Sequence, residues 1–88
     1  MFNIKVKATF TVSRHRDGDT VEAKQGSKIF VLRQRNSDAP ELNTRAGKLA
    51  KANIEKRLPT NTRFSAILYK NAEGKYLKDK YNRVLADY

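Results

Sequence analysis

Eighty-eight residues make one domain, 1–88, and a chain this short buries only about 60–65% of the surface its unfolded form exposes, so its core must be economical. Nineteen Lys and Arg against nine Asp and Glu give a net charge of +10; that balance favours a polyanionic partner, nucleic acid first, while 39% apolar residues are too many for a disordered tail. The lack of cysteine excludes a disulfide framework and a thiolate metal site. No stretch reads as a signal peptide or a membrane span, so the expectation is a cytoplasmic protein without a membrane partner, with a mature secreted form as the alternative.

Ile4, Val6, Ala8, Phe10 and Val12 alternate with Lys5, Lys7, Thr9 and Thr11, the period-2 signature of a half-buried strand. A polar stretch, Arg14–Asp19, follows with Gly18 available for a turn; the sole histidine, His15, has no partner pattern and is expected in this loop. Thr20–Lys24 predicts a second strand, Gln25-Gly26-Ser27 a turn, and Lys28–Arg33 a third strand rich in apolar residues. After Pro40 the period changes. Leu42, Ala46, Leu49, Ala50, Ile54 and Leu58 recur at helical spacing, with Asn43 or Thr44 able to cap the start and Pro59 stopping the end. Thr62–Lys70 reads as a strand, Asn71–Lys75 as a turn, and Tyr76–Tyr88 as one or two short strands. The expected fold is therefore mainly β with one helix (α+β), a five-stranded OB-fold barrel in the order β-β-β-α-β-β.

Four short constellations stand out: Asp17-Gly18-Asp19-Thr20, Arg33 five residues before Asp38, Asp38-Ala39-Pro40-Glu41, and Asp79-Lys80-Tyr81-Asn82-Arg83. Each has a bland explanation alone. Asp-Gly-Asp is a common turn, acids beside Pro40 suit a helix start, and Arg33 or Arg83 suits a strand-end surface charge. The basic helix face of Arg45, Lys48, Lys51 and Lys56 reads as a solvated face.

Together, and with Gly47-x-x-Ala50 in the helix, these motifs resemble the staphylococcal nuclease (thermonuclease) family, in order from about Val12 to the last residue. The resemblance implies a calcium-dependent nuclease that hydrolyses DNA, and RNA as a further substrate, with low sequence specificity. It implies that Asp19 and Asp38 bind Ca2+ with the backbone carbonyl of Ala39, supported by Asp17 and Thr20. Glu41 would hold or deprotonate the attacking water, Arg33 and Arg83 would grip the scissile phosphate, and Lys80 and Tyr81 would contact nucleic acid. These residue types also suit the chemistry on their own terms. Hard cations take carboxylate and carbonyl oxygens, and paired guanidiniums offer bidentate, permanently charged donors to a phosphoryl group.

The chain departs from the family pattern at Gln34, Arg35, Asn36 and Ser37, where apolar residues with a glycine are usual, and at Arg16. It also ends five residues after Arg83, without the family's two C-terminal helices, so the contacts they make are not implied. A monomer is expected, with pairing of an exposed edge strand as the route to a dimer. The alternative to an enzyme is a non-catalytic OB-fold module that binds nucleic acid.

Overall fold

The structure, a computed structural model, describes residues 3–35 and 39–88. Its strands are β1 (Ile4–His15), β2 (Thr20–Gln25), β3 (Lys28–Gln34), β4 (Arg63–Lys70) and β5 (Val84–Asp87), with helix α1 (Arg45–Arg57) between β3 and β4. They close into a mixed barrel in the order β1-β2-β3-β5-β4, the β3–β5 pairing being parallel.

Closure depends on β1 serving two partners in turn. Its N-terminal part pairs with β4 from Ile4↔Lys70 to Thr11↔Arg63, and its C-terminal part pairs with β2 from Thr11↔Lys24 to His15↔Val21. The register shifts between Val12 and Arg14. Such a bulge bends a strand and sharpens its twist, which lets one strand belong to both sides of the barrel. Gly26, at φ 61°, supports the short β2–β3 hairpin.

The inward positions form the core: Phe10 and Val12 from β1, Val21 and Ala23 from β2, Leu32 from β3, Phe64, Ala66 and Leu68 from β4, and Val84 and Ala86 from β5. Ile54 and Leu58 add the helix's contribution. The alternation expected along β1 is therefore used only in part. Phe10 and Val12 are 1% exposed, whereas Ile4 is 55% exposed because the start of the strand runs past the core.

The expected element order is recovered, with several local corrections. β1 extends to His15, which is not a loop residue: it is buried, and its Nε2 donates to the Leu58 carbonyl at 2.7 Å. That bond ties the end of β1 to the end of α1, a tertiary role that the local sequence does not signal. Leu42 lies before the helix and Leu49 lies on it, yet both are exposed. The buried face of α1 is narrower than its apolar spacing suggests, with Gly47 and Ile54 as its buried residues. Thr44 is the cap, its Oγ1 accepting from the Gly47 amide at 3.0 Å. In the last segment one short strand, β5, is joined by the isolated bridges Lys70↔Tyr76 and Lys78↔Val84. Among the described residues no helix is long and apolar enough to cross a membrane.

Candidate nucleic-acid and phosphate site

The turn between β1 and β2 aims Asp19 inward. The amides of Arg16 and Asp17 donate to the Thr20 carbonyl at 2.9 and 3.5 Å, and the Asp19 amide donates to Asp17 Oδ1 at 3.0 Å. Asp19 and Thr20 end up 6% and 1% exposed. Asp19 Oδ1 accepts from Thr20 Oγ1 at 3.1 Å, and Oδ2 accepts from the Ala39 amide at 3.1 Å with Arg33 Nη2 at 3.6 Å.

Burial by itself would raise the Asp19 pKa. The hydrogen bonds from Asp17, Ala39 and Thr20, with the Arg33 charge, outweigh it and hold the group below the usual carboxylate range. Asp17 moves the other way, raised by burial and then by its contact with Asp19. Two carboxyls pressed together thus split into one readily ionised and one reluctant to ionise.

Small residues make this approach possible. A Cβ on Gly18 would lie 2.8 Å from the Ala50 Cβ and 3.0 Å from the Ala39 Cβ, so the turn rests directly on the helix and on the segment entering it. A Cβ on Gly47 would lie 1.8 Å from the Glu41 carbonyl oxygen. The Gly47-x-x-Ala50 spacing is therefore the helix's contribution to the site: one position admits the backbone of Glu41, the other admits Gly18.

Two arginines distant in sequence converge beside this turn. Arg83 Nη1 donates to Thr20 Oγ1 at 2.7 Å and its Nε donates to Asp79 Oδ2 at 2.7 Å. Arg33 Nε lies 3.8 Å from the same Asp79 oxygen. Asp79 Oδ1 also accepts from the amides of Tyr81 and Arg83 at 3.0 and 2.9 Å, so the Asp79–Arg83 segment is a side-chain-stapled turn. Burial pushes the Asp79 pKa up, but the backbone and side-chain bonds from Arg83 and the Tyr81 amide carry it below the ordinary range.

The structure thus brings Arg33, Arg83, Asp19, Thr20 and Asp17 to one end of the barrel, with the Ala39 backbone at Asp19. Glu41 is exposed, and its carbonyl accepts from the Thr44 amide and Oγ1 at 3.0 and 2.6 Å. Lys80 and Tyr81 lie at the tip of the stapled turn. Tyr81 is 67% exposed, and Lys80 Nζ and Arg83 Cζ each lie 5.2 Å from its ring centroid. Asp38, with Asn36 and Ser37, lies outside the described residues. Among the described residues no three His, Asp or Glu side chains converge as a cation cage.

Two contributors had no role assigned from the sequence. Asp79 belongs to the Asp-x-Tyr-x-Arg motif, and its part is to pair with both arginines. Tyr88 donates from its hydroxyl to the Asp19 carbonyl at 3.0 Å, and burial raises its pKa well above the usual tyrosine range; no local pattern marks it. Gln34, which breaks the apolar run expected in the family, is half-buried, and its Nε2 donates to the Tyr88 carbonyl at 3.4 Å. Arg35 is engaged away from the site: its Nε and Nη2 donate to Asp87 at 3.3 and 3.4 Å, and its guanidinium covers the Tyr69 ring.

No protein-family profile and no curated protein sequence matches this chain. The class that the fold and site define is a mainly β, mixed five-stranded barrel with one helix and a paired-arginine site at one end.

Proposed function

We propose that this chain is an OB-type barrel of the staphylococcal nuclease kind, a calcium-dependent nuclease that cleaves phosphodiester bonds in DNA or RNA with low sequence specificity. The observation that carries this reading is the convergence of Arg33 and Arg83 on one Asp79 oxygen, beside a buried carboxylate held in its ionised form. Asp79 holds the two guanidiniums side by side, an arrangement suited to gripping an anionic phosphoryl group.

The donor set is all hard oxygen, which fits calcium. Asp19, Asp38 and the Ala39 carbonyl would hold the ion, with Asp17 and Thr20 in support. The bound ion would act as a Lewis acid on a phosphoryl oxygen. Arg33 and Arg83 bind the phosphate and stabilise the charge that grows on it during attack; aimed donors of this kind contribute on the order of 10²–10³ in rate each. Asp79 and Thr20 fix the direction in which Arg83 points. Glu41, at the helix entrance, orients or deprotonates the attacking water.

A second reading has its own observation. Asp19 Oδ2 is already occupied by the Ala39 amide, with Arg33 nearby, an arrangement that suits a non-catalytic nucleic-acid-binding module. One experiment separates the two. End-labelled single-stranded DNA is incubated with the protein in calcium and in excess chelator. The nuclease reading expects cleavage in calcium alone, and its loss in Arg33→Ala. Binding without cleavage under both conditions would replace it with the second reading.

A further inference from the structure

Beyond the arginine site, a second concavity opens on the side of the barrel between β3 and the β4–β5 connection. Lys28, Phe30, Tyr76, Lys78 and Asn82 border it, with Ile29 on the rim at 59% exposed. The reason for the gap is topological. β5 pairs with β3 only along Leu32–Gln34, so the edge of Lys28–Val31 meets the looser 76–82 segment instead of a strand. That segment is nevertheless anchored, since the Leu77 amide donates to Tyr69 at 2.8 Å and the Leu85 amide donates to Leu77 at 3.0 Å.

The lining combines aromatic and cationic groups. Phe30 packs edge-to-face against Phe10 at 5.4 Å and against Tyr76 at 6.1 Å, so the core itself buttresses the aromatic wall. Outside the lining, Lys70 Nζ lies over the Tyr76 ring, 4.8 Å from its centroid. Lysines alternating with aromatics describe the chemistry of single-strand binding: ring faces for bases, ammonium groups for the backbone.

The cleft also shares both its walls with the arginine site. β3 carries Phe30 to one and Arg33 to the other, on opposite faces of the strand with their backbones roughly 10 Å apart at strand rise. Asn82 borders the cleft, and its neighbour Arg83 reaches Thr20. At about 3.4 Å per stacked nucleotide, the separation corresponds to roughly three nucleotides, fewer for an extended strand.

We propose that this cleft is a base-binding subsite for single-stranded nucleic acid, seating a nucleotide roughly two to three positions from the phosphate held by Arg33 and Arg83. The assignment rests on the proposed function for the identity of its ligand, but not on catalysis. The occupant is a single strand because a base must be unstacked to enter, and the +10 charge of the chain suits its backbone.

The test measures binding of fluorescent thymidine dinucleotide and hexanucleotide in chelator, where cleavage does not interfere. Tyr76→Ala should weaken the hexanucleotide about 5- to 150-fold, the range of one lost stacking contact, and the dinucleotide much less. Arg33→Ala and Arg83→Ala should weaken both. If Tyr76→Ala proves misfolded by circular dichroism, the exposed pair Lys28→Ala and Lys78→Ala gives the same readout, with a several-fold selective loss for the hexanucleotide. Equal hexanucleotide affinity in wild type and cleft variants would overturn the subsite while leaving the nuclease reading intact. Selective loss together with no cleavage in calcium would uphold the subsite and overturn the nuclease. A wild-type protein that binds neither oligonucleotide would overturn the subsite directly.

Discussion

Gly47→Ala sets two opposed effects against each other at one atom. In an ordinary helix interior the change stabilises by about 0.8–1 kcal/mol, because alanine restricts the unfolded chain and suits the helix. Here the new Cβ would sit 1.8 Å from the Glu41 carbonyl oxygen, 2.5 Å from the Glu41 carbonyl carbon and 2.8 Å from the Pro40 oxygen. All three are backbone atoms, so no side chain can swing away; the segment must retreat by roughly 1.5 Å, and overpacking of this kind costs about 1–3 kcal/mol. Moving Glu41 also disturbs the two bonds its carbonyl accepts from Thr44, each worth about 1 kcal/mol. The expected net effect is a loss of about 1–3 kcal/mol, read as a fall of roughly 5–20 °C in melting temperature for a domain of this size. Ala46→Gly, at an exposed position of the same helix, provides the scale of pure propensity, a loss of about 1 kcal/mol. A rise in melting temperature for Gly47→Ala would refute the close approach of Glu41 to the helix.

Other substitutions probe other links. His15→Phe keeps the bulk but removes the donor to the Leu58 carbonyl, so thermal stability should drop by about 1–3 kcal/mol; an unchanged urea midpoint would argue against that tie. Arg83→Lys retains the charge but cannot join Thr20 and Asp79 together, and cleavage should fall on the order of 10²-fold with little change in melting temperature. Folded-state pKa values of Asp19, Asp79 and Asp87 are lowered. Their stabilisation is complete above the unfolded carboxylate pKa, near 4, and is lost as pH falls through the folded values. The urea midpoint should therefore decline below about pH 4, and Asp79→Asn should flatten that decline; a midpoint independent of pH in this range would contradict the ion-pair network. Asp17 is raised, so its contribution has the opposite sign, present at low pH and lost as pH rises through its folded pKa. Asp17→Asn should accordingly stabilise the protein at neutral pH in chelator.

The strands and helix were legible because periodicity follows directly from which face is buried. Phe10, Val12, Leu32 and Leu68 occupy the inward positions that alternation requires. The exposed Leu49 marks where this reading runs out: apolar spacing shows which residues share a face, not how much of that face another element covers. His15 and Tyr88 were illegible for a related reason. Their partners, the carbonyls of Leu58 and Asp19, are 43 and 69 residues away, and a backbone carbonyl has no sequence identity to recognise. The arginine pair was legible as two motifs, but their meeting was not. It depends on the parallel β3–β5 pairing that sets Arg33 opposite Leu85, beside the Asp79–Arg83 turn. Gly47-x-x-Ala50 was legible as a motif, and only the packing of Glu41 and Gly18 against it supplies its physical reason.

The most direct measurement of the central claim is a calcium titration followed through backbone amide resonances. A cation held at the Asp19 end of the barrel should shift Asp17, Asp19, Thr20 and Ala39 in a saturable way, leave the hairpin at Gly26 unmoved, and lose these shifts in Asp19→Asn. Weak, non-saturating shifts spread over the surface acids, or an identical response in Asp19→Asn, would contradict the calcium-dependent account.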